Sequence, residues 1–111
     1  MNIIDYETVG GKNLIREFLK GLPEPERYDG YHVRHVIHKK GMRAFEDGDV
    51  EARQLRGKLW EIKFYNDNRY AFVVAADEDK IYFLHAFKKQ KNKTEKFELD
   101  TALTRMKEYG L

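Results

Sequence analysis

The second half of the chain follows the two-residue period of β-strands, and this pattern limits the fold more than any other feature of the sequence. Apolar and polar residues alternate in LWEIKFY (59–65) and again, after the turn signal NDN (66–68), in the segment 69–74. A third segment, IYFLHAF (81–87), is apolar on both faces and predicts a central strand. Because successive side chains leave a strand on opposite sides, these segments predict an antiparallel sheet with a buried face.

The rest of the chain favours helices around this sheet. Apolar residues recur at helical spacing in 14–19, and again in a second helix predicted from Pro25 to about Glu46, which Gly41 could break. Residues 46–53 are predicted to form a connecting loop, and a last helix is predicted to begin at Thr94 or Glu95. With a short strand at 2–6, the predicted order is β-α-α-β-β-β-α.

This order predicts an α+β fold in which an antiparallel sheet carries its helices on one face. We expect one domain spanning residues 1–111, since a chain of this length has no room for two independent cores. The predicted core takes alternating residues from two strands and one residue from the last helix: Trp60, Ile62, Phe64, Phe72 and Leu103.

Composition excludes several classes of protein. The chain has no cysteine, so it can form neither a disulfide framework nor a thiolate metal site. The longest apolar run, AFVVAA (71–76), is too short to cross a bilayer, and the N-terminus lacks the pattern of a signal peptide. We therefore expect a soluble cytoplasmic protein without membrane association.

Three histidines recur on the second predicted helix, at positions 32, 35 and 38. Each three-residue step rotates the side chain by about 60° around the helix axis. Two of these histidines could chelate a metal, but all three fit one tetrahedral site poorly, and a solvent-facing or partner-facing helix is the preferred interpretation. We expect neither a metal nor a cofactor.

Positive charge is concentrated just after the last predicted strand. The formal net charge is only +2, yet the segment 88–96 holds five lysines and a single acidic residue, Glu95. Such a patch attracts phosphates. A solvated turn would carry the same residues, so the charge run alone leaves both interpretations open.

Alternation places further cations beside this patch. If the apolar sides of the two hairpin strands face the helices, Lys63 and Arg69 must project together from the opposite face. Lys88 and Lys89 reach the same edge of the sheet, and His85 shares the face of Lys89. These residues predict a cationic groove floored by the sheet that could hold an RNA backbone.

An aromatic residue could add base stacking to this groove. Tyr65 and Phe87 are the two candidates, because an aromatic face accepts any base. Core packing is the preferred interpretation of Phe87.

Four segments in order resemble the HigB-type branch of the RelE/ParE toxin superfamily. They are LRGKLWEIKF, NRYAFVV, KIYFLHAFKKQKNKT and the helix start ELDTA, and together they cover Leu55 to about Tyr109. The resemblance implies a RelE-like β-α-α-β-β-β-α fold and an mRNA endonuclease that acts on the ribosome. It also implies a cognate helix-turn-helix antitoxin, in a heterotetramer that contacts operator DNA only through the antitoxin.

The resemblance carries over to individual residues. The basic positions of the family fall on Arg69, Lys89 and Lys93, and Lys63 stands where the family more often has arginine. Gln90, Lys91 and Glu95 depart from the family's lysine, threonine and proline. The predicted catalytic residues are Arg69, Lys89, Lys63 and His85. The predicted RNA-binding residues are Arg56, Lys58, Lys88, Lys91 and Lys93.

The predicted reaction needs no metal, because RNA supplies its own nucleophile in the 2′-hydroxyl. Fixed cations can stabilise the charge of the transition state, and a histidine or a desolvated lysine can transfer protons. Two other classes of function remain open. The chain could be a non-catalytic inhibitor of a host protein such as gyrase, as in the ParE branch, or a plain RNA-binding module.

Overall fold

The computed structural model of the chain describes all 111 residues, in five strands and four helices. The strands are β1 (Asn2–Asp5), β2 (Glu51–Arg56), β3 (Leu59–Phe64), β4 (Asn68–Val74) and β5 (Lys80–Lys88). The helices are α1 (Leu14–Lys20), α2 (Glu24–Lys40), α3 (Arg43–Glu46) and α4 (Lys96–Glu108). None of the four helices combines the length and the apolar character needed to cross a lipid bilayer.

All five strands form one mixed sheet in the order β1-β5-β4-β3-β2. Strands β2 to β5 pair antiparallel in the order of the chain, whereas β1 pairs parallel with β5. The sheet therefore has β1 and β2 at its two edges and β4 at its centre.

The first three helices cover one face of the sheet. Ile15 and Leu19 of α1 pack there with Ile37 of α2 and with strand residues that include Phe64 and Phe72. This is the first core.

A buried ion pair fastens α2 to the edge strand β1. Both Nη atoms of Arg34 lie 2.7 Å from the two carboxylate oxygens of Asp5. Such a bidentate pair fixes the guanidinium plane as well as the charge.

The last helix covers the opposite face. Ala102 is buried, and it packs with Leu59, Ala71, Val73, Leu84 and Phe87 of the strands. Leu103 and Met106 add partly buried side chains to this second core.

The α+β class is confirmed, and three details of the predicted arrangement are corrected. Residues 51–53, predicted to lie in the connecting loop, belong to strand β2; the two apolar residues of this edge strand, Ala52 and Leu55, are three positions apart, so it shows no two-residue alternation. The sheet is mixed because β1 runs parallel to β5, a direction that a residue period does not encode. Helices cover both faces, because β4 and β5 are apolar on both sides and each side needs a cover.

The predicted core is correct for three residues and needs two corrections. Ile62, Phe64 and Phe72 are buried in the first core. Leu103 is only partly buried, and it belongs to the second core. Trp60 is 39% exposed, because it lies next to the edge strand and lines an open cavity there. The break near Gly41 is confirmed, since α2 ends at Lys40 and Gly41 has a φ of 60°.

Candidate functional site

A buried carboxylate lies among the cations of the face opposite to the first core. Glu61 of β3 has only 2% of its side chain exposed. Its Oε1 accepts a hydrogen bond of 2.7 Å from Arg53 Nε, and Thr94 Oγ1 lies 3.0 and 3.2 Å from its two carboxylate oxygens. Arg69 Nε and Lys89 Nζ approach the same carboxylate at 3.8 and 3.9 Å. We call Arg53, Arg69, Lys89 and the central Glu61 the cationic cluster.

Strand register brings these residues together. Arg53 and Glu61 are Cα partners between β2 and β3, and Lys63 and Arg69 are Cα partners between β3 and β4. Side chains at paired positions leave the sheet on the same face, and alternation puts all four opposite to the first core. Lys89 directly follows β5, which is paired with β4.

Two of the cations are held firmly. The side chains of Arg69 and Lys89 are only 12% and 10% exposed. Arg69 Nη1 donates hydrogen bonds to the carbonyl oxygens of Asn66 and Asn68, at 2.6 and 3.0 Å. The backbone N–H of Lys89 donates to the carbonyl of Asp67 at 2.6 Å. The turn between β3 and β4 therefore anchors both residues.

Lys89 has an altered proton affinity. Partial burial lowers the pKa of its ammonium below the ordinary value of 10.5, and the nearby charges of Arg53, Arg69 and Lys63 lower it further. The carboxylate of Glu61 opposes this shift. A lysine with a lowered pKa loses its proton more readily than one in water, which suits it to proton transfer as well as to anion binding.

A cavity of about 850 Å³ adjoins the cluster. Residues of both sheet faces line it, so it extends around the edge strand β2. Its charged wall contains Arg53, Glu61, Lys63, Arg69 and Lys89. Its apolar wall contains Phe45, Val50, Trp60, Phe72 and Val74.

A family model matches most of the chain. The family model described as phage derived protein Gp49-like matches residues 17–107. The chain belongs to the Gp49-like family. This is a family of the RelE/HigB-like toxin type. A search of curated proteins found no match.

In this Gp49-like chain, the predicted pairing of Lys63 with Arg69 is confirmed, on the face opposite to the first core. Lys63 and Arg69 lie directly opposite one another in neighbouring strands. Lys63 does not contact the central carboxylate; its Nζ lies 3.9 Å from Glu51 Oε2, and both of these side chains are exposed. Arg69 and Lys89 are brought together at Glu61.

His85 is not brought into the cluster. It shares the face of Lys89 as predicted, but it is largely covered, with its ring stacked on Phe87 at a centroid distance of 5.1 Å. Its Nε2 lies 2.8 Å from Glu98 Oε1, and its Nδ1 lies 3.2 Å from Arg105 Nη1. Because arginine can only donate, Nδ1 must accept and Nε2–H must donate to the carboxylate. Burial lowers the pKa of His85 below 6.5, in keeping with a neutral ring; its catalytic role stays a prediction.

The predicted RNA-binding residues divide into two groups. Lys88 leaves β5 toward the side of the first core, where its Nζ lies 2.7 Å from Glu26 Oε1. The other four are exposed and form no salt bridge: Arg56 and Lys58 lie at the turn between β2 and β3, and Lys91 and Lys93 lie between β5 and α4. Lys88 is therefore separated from the other predicted contacts.

Sequence reasoning missed three members of the site. Arg53 fell in the predicted loop, Thr94 was assigned only to a helix start, and Glu61 was not among the predicted site residues. The available signal was Gly57, which has a φ of 54° in the turn between β2 and β3. A glycine turn there predicts a further hairpin, and that hairpin pairs Arg53 with Glu61.

The three histidines of α2 are exposed. The chain contains no group of three or more His, Asp or Glu side chains that could hold a metal ion.

Proposed function

We propose that this chain is the HigB-type toxin of a type II toxin–antitoxin system and that it cleaves mRNA on the ribosome, in the cytoplasm. Membership of the Gp49-like family supports the toxin assignment. The cationic cluster supports the endoribonuclease activity: three cations surround one carboxylate, which leaves an excess of two positive charges in a partly buried site. That excess is the observation on which the proposal depends.

The cluster fits cleavage by the 2′-hydroxyl of the RNA itself. The 2′-oxygen attacks the adjacent phosphorus, the bond to the 5′-oxygen breaks, and the products are a 2′,3′-cyclic phosphate and a 5′-hydroxyl. The reaction needs stabilisation of the negative phosphorane and two proton transfers. In this proposal Arg69 and Lys89 bind the phosphorane oxygens, because fixed and partly buried cations stabilise developing charge most effectively.

Proton transfer is proposed for Lys89: burial and neighbouring cations lower its pKa, so its ammonium gives a proton to the leaving 5′-oxygen more readily than a lysine in water, while the proton of the 2′-hydroxyl passes to solvent. Glu61 is a positioning residue that holds the cations at a common point. Lys63 and Arg53 would bind the neighbouring phosphates, as would the exposed residues Arg56, Lys58, Lys91 and Lys93.

Two adjacent lysines provide a matched test. Lys89→Ala removes a cation from the cluster, whereas Lys88→Ala removes a cation that pairs with Glu26 on the other side of the sheet. Cleavage of mRNA in a ribosome-containing translation reaction should fall about 100-fold or more for Lys89→Ala. It should stay within about threefold of wild type for Lys88→Ala, and circular dichroism should show both variants folded. Equal activity of the two variants would contradict the proposed active site.

Partners follow from the proposed class. We expect a cognate helix-turn-helix antitoxin that forms a heterotetramer with the toxin. The complex would contact operator DNA only through the antitoxin. Expression of the chain alone should arrest bacterial growth and deplete intact mRNA, and co-expression of the antitoxin should reverse both effects. Growth arrest with intact mRNA and blocked DNA replication would instead support the gyrase-inhibitor alternative.

A further inference from the structure

The turn between β3 and β4 holds an aromatic residue in an unusual backbone conformation. Tyr65 has a φ of 41° and Asn66 has a φ of 63°, both in the left-handed region. Asparagine tolerates this region, but a bulky aromatic residue is a genuine outlier there. A turn without a function would be expected to place glycine, asparagine or aspartate at such a position.

Three hydrogen bonds fix this strained turn. The backbone N–H of Tyr65 donates to Asp29 Oδ2 of α2 at 2.7 Å. The N–H of Asp67 donates to the carbonyl of Tyr65 at 2.8 Å, and Arg69 Nη1 donates to the carbonyl of Asn66 at 2.6 Å. The cluster residue Arg69 is therefore part of the structure that determines the position of Tyr65.

The ring of Tyr65 remains accessible although its backbone is fixed. The residue is 44% exposed, whereas Phe87, the other predicted stacking residue, is buried in the second core. Tyr65 follows Lys63 by two residues, so their Cα atoms lie at most about 7 Å apart. A nucleotide whose phosphate binds the cations could reach the ring with its base.

We propose that Tyr65 is a stacking platform for a base of single-stranded RNA next to the scissile phosphate, and that Asp29 positions it. The proposal rests on the proposed ribonuclease function and adds a subsite to it. Cations that hold a backbone and an aromatic face that holds a base form the usual combination for binding single-stranded RNA. A rigid platform loses little freedom when the base binds, which explains why a strained turn is retained.

A fluorescent RNA tests the platform directly. The probe is a short single-stranded RNA with 2-aminopurine beside a 2′-O-methyl nucleotide at the cleavage position, so that it binds without being cut. Wild type and Tyr65→Phe should quench the 2-aminopurine by stacking. Tyr65→Ala should lose the quenching and bind roughly 5- to 100-fold more weakly, as expected for one base–aromatic stack.

Two further variants separate stacking from folding. Tyr65→Gly also removes the ring, and glycine adopts the left-handed region without strain, so this variant should fold well and still lose the quenching. Tyr28→Ala removes a tyrosine that is more exposed, on α2 beside His32, and should quench as wild type does.

Two variants of Asp29 test whether it positions Tyr65. Asp29→Ala removes the acceptor of the Tyr65 N–H and should weaken quenching, whereas Asp29→Asn keeps an acceptor oxygen and should restore it. If both variants quench as wild type does, or if both lose the quenching, Asp29 does not position Tyr65 through this hydrogen bond.

The outcomes distinguish this proposal from the function on which it rests. If wild type cleaves mRNA in the ribosome-containing translation reaction, but wild type does not quench the free probe or the Tyr65→Ala and Tyr65→Gly variants quench it equally, the platform is refuted and the ribonuclease stands. If wild type leaves mRNA intact in the translation reaction, the ribonuclease function fails and the platform fails with it.

Discussion

Replacing Glu61 by glutamine would remove the negative charge from the centre of the cationic cluster and leave the shape of the side chain unchanged. Arg53 would keep an acceptor oxygen at 2.7 Å, but the arginine and lysine at 3.8 and 3.9 Å would lose their counter-charge. The three cations would then face each other in a partly buried site. The folded chain should become less stable, and its affinity for anions should rise.

The size of the effect follows from the geometry. Two unit charges about 4 Å apart attract by about 4 kcal/mol at an effective dielectric constant of 20, before the cost of desolvation. Removing one partner of a buried ion pair costs about 3–5 kcal/mol in measured cases. Glutamine keeps the hydrogen bond to Arg53. Because Arg53 is half-exposed, water screens its attraction to the carboxylate, so the loss of that attraction costs less. We therefore expect Glu61→Gln to lower the free energy of unfolding by about 2–4 kcal/mol.

Urea melts with and without sulfate measure both consequences. An added anion that binds at the cluster should replace part of the lost carboxylate charge, so sulfate should stabilise Glu61→Gln more than wild type. Sulfate also stabilises folded proteins in general, so a control is needed. Glu26→Gln makes the same chemical change in a carboxylate that pairs with Lys88 on the other side of the sheet. Its response to sulfate should equal that of wild type.

The Glu61→Gln variant should keep or gain affinity for RNA and lose cleavage activity. Glu61→Gln should bind single-stranded RNA at least as tightly as wild type, because the cluster gains net positive charge, while cleavage should fall because the cations are no longer held at a common point. A loss of stability below about 1 kcal/mol, or a sulfate response no larger than that of Glu26→Gln, would refute the view that Glu61 organises the site.

Five further substitutions test the cores and the margin of the site. Phe72→Ala should lower the free energy of unfolding by about 3–5 kcal/mol in urea melts, since it empties part of the first core. Gly30→Ala should destabilise by about 1–3 kcal/mol despite the better helix propensity of alanine, because a Cβ there would stand 2.6–2.9 Å from three core side chains. His85→Gln should flatten the pH dependence of stability. Burial lowers the folded-state pKa of His85, so below pH 6.5 the unfolded wild type gains a proton that the folded wild type does not take up. The stability of wild type relative to this variant should therefore decline as the pH falls below 6.5. Lys91→Ala and Lys93→Ala should each reduce the slope of log affinity for RNA against log salt by about 0.7, and an unchanged slope would mean that these lysines contact only solvent.

Alternation alone was sufficient to predict part of the site. The period of β3 and β4 fixed which residues share a face, and the short turn fixed the register, so Lys63 and Arg69 could be paired from the sequence. The same argument identified Ile62, Phe64 and Phe72 as core residues. These predictions depend only on backbone geometry, which local sequence encodes well.

Burial of charge could not be predicted in this way. Glu61 lies on the face that a sheet covered on one side would leave to solvent, and it is buried beneath Thr94 and the surrounding cations of the cluster. Arg53 was missed because a polar edge strand has no period to detect. The contact of Glu61 with Thr94 joins residues 33 positions apart in the sequence, which no local pattern reports.

The lysine-rich segment after β5 shows how one structural detail changes the interpretation of a charge cluster. Lys88 and Lys89 are neighbours in the sequence, yet strand alternation sends Lys88 to Glu26 and Lys89 to Glu61 on the other side of the sheet. The segment then returns to the same carboxylate through Thr94, so Lys91 and Lys93 lie between two attachments to one buried group. A solvated turn would not need to be fastened at both ends to the centre of a cationic site. Because the attachments hold the exposed lysines beside the cluster, the proposed function would have them direct a phosphate backbone toward Arg69 and Lys89.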